Sequence, residues 1–373
     1  MPPTRQQQSW APTTFSTTAL IASARTISSA ALTRGPHASN HACGYAPHHN
    51  RGAWTNCRQS RQSILRSAEN DMRKRLHHHV WQHYLKSWLV NGAITCLAAD
   101  SIFRTGTVRV AVDRDFYTLK ALSNQDLQLA RVLIGGVKNE DARQSQLRFL
   151  ERIAIPSRLK GISPDIDSEI DTFHSNVLEE WHTAIEHSFI PLLKRALVHD
   201  IDFYRHDQDC IPFLHYLCTQ NMRTKGVRER VLALNVEGGV PDISRIWPIL
   251  AITFAENVGA TLYVERRRRK LVLIQNTTDV PFITGDQPVA NLLAIADGPP
   301  ERLALYYPIS PDLALVLNEV DDNLPLASET LTTEQVRRLN AKLASGCHAQ
   351  LFGTSEEALR SAQHDPVWVP YHP

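Results

Sequence analysis

The sequence predicts an α+β fold: an N-terminal β-hairpin, a helical middle, and a C-terminal, mostly antiparallel sheet with a late helix. Three observations carry this. Strand-like segments bounded by turn residues lie between residues 93 and 112. Apolar residues recur at helical spacing between 124 and 236. Short apolar runs punctuated by Pro, Gly and Asp return from residue 260 onward. With 43% hydrophobic and 21% charged residues in 373, the composition is that of an ordinary globular chain and excludes collagen-like, coiled-coil and wholly disordered classes. No stretch approaches the ~18 apolar residues of a membrane-crossing helix.

Residues 1–71 stand apart from the rest. The first acid is Glu69, and residues 1–68 carry seven arginines and no lysine, so the remaining 33 basic and 38 acidic residues leave a net-acidic body. Such a body speaks against broad nucleic-acid binding. The extension is rich in Ser, Thr, Ala, Gln, Arg and His, with poor periodicity, and buries too little apolar surface to offset its chain entropy. A transit peptide, a disordered arm, or upstream sequence ahead of a start at Met72 all fit, and the segment is expected to be dispensable for folding. Residues 72–373 then form a single α+β domain. Six scattered cysteines without a C-x-x-C pair suggest reduced thiols and a cytoplasmic setting.

Within the domain, Val80, Tyr84, Leu85 and Trp88 mix strand and helix spacings, and Asn91-Gly92 marks a turn. Residues 93–97 read as one strand and 107–112, with Val108, Val110 and Val112 alternating, as its partner. Ile170, Phe173, Val177, Trp181 and Ile185 share one helix face, with Pro191 a possible break. Residues 211–234 and 243–257 read as further helices, separated by a loop at Gly238-Gly239 and Pro241. Strands follow at 260–264, 271–275, 303–309, 313–318 and 349–352, with a helix capped by Thr332 or Thr333. The two β regions are expected to join in one sheet.

Several segments, in order, resemble a bacterial family, the domain of unknown function DUF 4238. They are His77-His78, Tyr84-Leu85 with Trp88, Asp115-Phe116-Tyr117, the Glu-containing helix 179–193, Met222-Arg223-Thr224, residues 282–289, residues 307–311, and Leu339-Asn340. The resemblance spans roughly 77–355. The chain departs from it at His79, Trp81 and His83, where the family has Tyr, Pro and Phe. The resemblance implies an architecture and brings no established activity.

Candidate chemistry rests on a few polar residues. His77 and His78, in a cluster with His79 and His83, suit proton transfer, although the spacing matches no standard metal motif. Asp286, in the turn after residues 281–284, suits a catalytic carboxylate or a backbone-bonded turn residue. Arg223 could clamp a phosphate or pair with Glu179, Glu180 or Glu186. Asn340, in the closing element, joins Arg223 as a substrate-binding candidate. The run Arg266 to Lys270 reads as a solvated turn. No Gly-rich phosphate loop, nucleotide fingerprint or G-x-S-x-G occurs, so the cofactor is left unknown. Two function classes follow. One is a hydrolase or nuclease-like enzyme on a phosphate-bearing substrate, with His77 or His78 as acid/base, Asp286 orienting it and Arg223 holding the phosphate. The other is a non-catalytic ligand- or partner-binding module in which the same residues form a structural network.

Overall fold

The computed structural model describes residues 73–237, 242–294, 302–320 and 331–365. The expectations for residues 1–71 and for the loop at Gly238-Gly239 and Pro241 lie outside the described residues. The N-terminal β region comprises β1 (Leu76–His78), a short helix α1 (Gln82–Leu85), β2 (Ile94–Ala98), β3 (Ser101–Thr105) and β4 (Val112–Arg114). Six helices follow: α2 (Asn124–Gly135), α3 (Glu140–Ser157), α4 (Pro164–Leu197), α5 (Asp207–Met222), α6 (Lys225–Glu237) and α7 (Trp247–Val264). Then come β5 (Arg269–Gln275), β6 (Thr284–Gly285), β7 (Ala290–Asn291), β8 (Leu305–Pro308), β9 (Leu313–Glu319), α8 (Thr333–Gly346), β10 (Gln350–Gly353) and α9 (Glu356–His364). The fold is the expected α+β arrangement.

All strand pairs are antiparallel. One sheet has the order β3-β2-β10-β6 and another β5-β9-β8-β7, while β1 and β4 pair separately. The first of these takes strands from both β regions, but the expected single sheet does not form, because β5, β7, β8 and β9 make a sheet of their own and β1 pairs only with β4. Two buried side chains reinforce that junction. Tyr84 Oη donates to Pro308 O at 2.8 Å, so it accepts from Thr284 Oγ1 at 2.6 Å. Trp88 Nε1 donates to Phe282 O at 2.9 Å.

The hairpin differs from the sequence expectation. β2 pairs with β3 across Ala99-Asp100, both at positive φ (45° and 66°), a turn without the glycine that normally announces it. Residues 107–109 form a 3-10 turn instead of a strand. Ala111 at φ 48° interrupts the alternation, and Val108 is 55% exposed. The expected strand at 260–264 is the last turn of α7. Its β-branched and aromatic residues mimic a strand locally, but Ala255, Gly259 and Leu262 continue the buried helical face begun at Trp247. Helix α9 was not anticipated.

Helix α4 follows its capping chemistry. Ser163 accepts a hydrogen bond from the Ile166 N–H, Pro164 opens the helix, acids fill the first turn, and Lys194 and Arg195 the last. It runs through Pro191, because Phe189, Leu192 and Leu193 are all buried and hold both sides of the proline against the core. α8 starts with the Thr332–Gln335 capping box. Trp181 is buried on the inner face of α4, its ring edge-on to His182 and His215. Trp181→Ala is expected to cost about 3–5 kcal/mol; a denaturant titration showing less than about 1 kcal/mol would place this face outside the cooperative core.

Candidate functional site

The site candidates divide into braces and one polar cluster. His77 is a brace. Its Nδ1 accepts the Tyr117 N–H at 2.8 Å, so the ring proton is on Nε2, which donates to Lys74 O at 3.1 Å. Burial depresses its pKa, and the ring stacks on Tyr117 at 5.6 Å. Both nitrogens of this neutral tautomer are occupied by backbone.

Asp286 has a similar role. Its Oδ1 accepts from the His348 N–H at 2.8 Å, and its Oδ2 accepts from Ala349 at 2.7 Å and Gln350 at 3.0 Å. Burial raises the carboxyl pKa and these three donors oppose the rise. The carboxylate therefore clamps the entry to β10 against β6. Gly285 completes the clamp: a Cβ there would meet Cys347 Sγ and lie 2.8 Å from Gln350 O. Asn340 is a brace as well, accepting the Ile283 N–H at 3.1 Å and donating to Pro281 O at 2.9 Å.

The polar cluster is centred on Arg223, which caps the C-terminus of α5 and is 4% exposed. Arg223 Nη2 lies 2.6 Å from Glu186 Oε1, and Nε has no hydrogen-bond acceptor. Tyr117 Oη donates to Arg223 O at 3.0 Å. Helix α4 presents Glu179, His182 and Glu186 at i, i+3 and i+7, one face of the helix. Burial raises the pKa of both carboxyls, Glu179 to about 7, with the Arg223 charge opposing. The strand β1 and the residue after it contribute His78 and His79, whose pKa values burial depresses, His79 to about 3, with Arg223 acting in the same direction. His182 is depressed by the same two causes. Buried atoms without a hydrogen-bond partner include His78 Nε2, His79 Nδ1, Glu179 Oε2 and His182 Nδ1. Unsatisfied interior polar atoms are individually costly, and these four belong to side chains that the Arg223 charge reaches.

His78 lies within the field of Arg223, whereas the Asp286 carboxylate is engaged by the backbone of residues 348 to 350. The two regions are adjacent: Thr224, next to Arg223, donates to the Gln287 side chain, which in turn donates to Asn221 Oδ1 at 2.9 Å. Asp286 itself faces Arg230 and Cys347. Of the alternatives for Arg223, the pairing with Glu186 is the one found. His182 escaped the sequence reading, and only its spacing from Glu179 and Glu186 signalled it. Among the described residues, no group of three His, Cys, Asp or Glu side chains is arranged to hold a metal ion, and no helix is long and apolar enough to cross a membrane.

A family model, described as "Protein of unknown function (DUF4238)", matches residues 248–357. The match covers less than a third of the chain. The DUF4238 segment runs from α7 into the first turn of α9 and holds Asp286 and Asn340, the two braces on the C-terminal side. His77, His78 and Arg223 precede it. No curated protein and no solved structure matches the chain.

Proposed function

We propose that the protein acts on a small, phosphate-bearing substrate held against Arg223, with Glu179 as the proton-transfer group and His78 beside it, the chemistry of a hydrolase. The observation that carries the reading is the cluster itself. A buried guanidinium paired with Glu186, a carboxyl on the same helix face raised to about 7 by burial, and unpartnered imidazole atoms of rings that feel the same guanidinium are supplied by β1, α4 and the end of α5. A guanidinium is the natural partner of a phosphoryl oxygen, and Arg223 Nε is still without an acceptor. Asp286, held by three backbone donors, acts here as support for the scaffold.

Chromogenic phosphomonoester and phosphodiester substrates test the proposal. Glu179→Gln and Arg223→Lys are expected to lower turnover by about 10²–10⁴-fold with unchanged circular dichroism. Equal turnover by wild type and both variants would end it. A non-catalytic ligand-binding module is the second reading. It is favoured by the full engagement of His77, Asp286 and Asn340 with backbone, which leaves them no free group for chemistry. Under that reading no substrate is turned over, while a ligand still raises the melting temperature in an Arg223-dependent way.

A further inference from the structure

The sheet β5-β9-β8-β7 ends on one side in β5, a seven-residue strand that pairs only with β9. The Val320 N–H donates to Arg268 O at 2.9 Å and the Asn276 N–H to Asp312 O at 2.8 Å, so residues 268, 270, 272, 274 and 276 turn their backbone groups toward β9. Arg269, Leu271, Leu273 and Gln275 turn theirs outward. Among the described residues, no backbone hydrogen bond reaches the outward N–H or C=O of Leu271 or Leu273. The usual protections of a sheet edge are missing from the centre of this one. Residues 271–274 are Leu, Val, Leu and Ile, with no charge, no proline and no positive φ, and the first three are only half-buried. Leu271 and Leu273 pack on the core that includes α7, and Val272 on the core that includes α8, so the strand offers apolar surface on both faces. Its two ends carry opposite charges. Arg267 and Arg268, exposed and without an ion pair among the described residues, precede it; Asp279, exposed and likewise unpaired, follows it.

A second β5 running the other way satisfies each of these features. It sets outward donors against outward acceptors, apolar side chains against apolar side chains, and the arginine end against the aspartate end. We infer that β5 pairs antiparallel with β5 of a second copy of this chain, about a twofold axis through Val272, so that one sheet continues across the dimer. In this register Leu271 is opposite the second copy's Leu273, Arg269 is opposite its Gln275, and Val272 is opposite its own counterpart. All seven residues pair, and the outward set falls at the hydrogen-bonded positions; a shift by one residue would set outward groups against inward ones. A seam of this length is small beside a permanent interface, so the dimer is a reversible one. None of these residues belongs to the Arg223 cluster, and the phosphate-ester assays above leave the pairing untouched.

Sedimentation velocity of the full chain, from low to high micromolar concentration, is expected to show a monomer–dimer equilibrium. Val272 occupies a non-hydrogen-bonded position, where facing side chains are closest, so Val272→Cys should form an intermolecular disulfide under mild oxidation, beyond any formed by the unmodified chain. Val272→Lys and Val272→Glu should each weaken dimerisation by roughly fivefold or more, because like charges meet at the axis, and an equimolar mixture of the two should regain it. Circular dichroism establishes that each variant is folded. Val272→Cys is the mildest change, so the cross-link stays readable even if the charged variants unfold. A chain that is monomeric at every concentration and cross-links no more than the unmodified chain overturns the inference. A dimer that survives unchanged in folded Val272→Lys also overturns it, by placing the interface elsewhere. A monomeric chain that instead binds a synthetic peptide of residues 268 to 276 overturns it too, and assigns the edge to a strand from a different protein.

Discussion

Acidification from pH 7 to pH 4 is expected to lower the unfolding free energy by several kcal/mol. His77, His78, His79, His174 and His182 all have depressed pKa values in the folded protein, with burial the leading cause in each. The unfolded chain protonates these rings near pH 6.5, whereas the folded protein keeps them neutral. Below pH 6.5 the unfolded state therefore binds more protons, and stability falls with pH until each folded pKa is passed. For His79, displaced from 6.5 to about 3, the full contribution is on the order of 5 kcal/mol, reached at about pH 3. Glu179, Glu186 and Asp286 work the other way. Their pKa values are raised, so they bind protons in the folded state first and return some stability on acidification. His182, lowered well below 6.5 by burial, adds to His79, and the two together outweigh the return from Glu179, so the net slope is positive. Urea unfolding at pH 7, 6, 5 and 4 reads this directly. The midpoint should drop at each step, and His79→Gln should flatten the curve by close to one proton. A midpoint constant from pH 7 to 5 would mean that these rings open to solvent and accept protons without unfolding.

The same residues show what the sequence made legible. Helical periodicity found the middle of the chain because Ile170, Val177, Trp181 and Ile185 are buried on one face, and the spacing alone encodes that. That the two β regions touch was legible, since the ends of one core tend to meet, but their division among three sheets was not. The hairpin was misplaced because its turn uses Ala99 and Asp100 at positive φ, which no composition rule announces. The end of α7 was misplaced because packing against α5 decides its state, not the local preference of Thr261, Tyr263 and Val264. At the site, the residue types were legible and their assignments were not. Imidazole, carboxylate and guanidinium were all flagged, but whether a group is free depends on backbone atoms from distant segments. His77 is occupied by residues 74 and 117, and Asp286 by residues 348 to 350.

Asp286→Asn is expected to be the most damaging isosteric change in the C-terminal sheet. The amide keeps one acceptor oxygen and replaces the other with a donor. Whichever way it turns, at least one of the N–H groups of His348, Ala349 and Gln350 faces an NH2 in a buried position. Leaving such donors unsatisfied costs about 1–3 kcal/mol each, and loss of charge-assisted bonds adds to this, giving a total of about 3–5 kcal/mol. Relaxation is restricted, because Gly285 sits against Cys347 and Gln350 and leaves no slack in the turn. The strand that loosens is β10, which lies between β2 and β6 and connects the two ends of the chain. The loss should therefore appear as a single cooperative shift in melting temperature, together with deprotection of the amides of residues 348 to 350 in hydrogen exchange. A catalytic carboxylate behaves differently: its amide variant loses turnover while melting near the wild-type temperature. That second pattern for Asp286→Asn would return it to the chemistry, whereas a large thermal shift with the same variant fixes it as the clamp that holds the sheet beneath the Arg223 cluster.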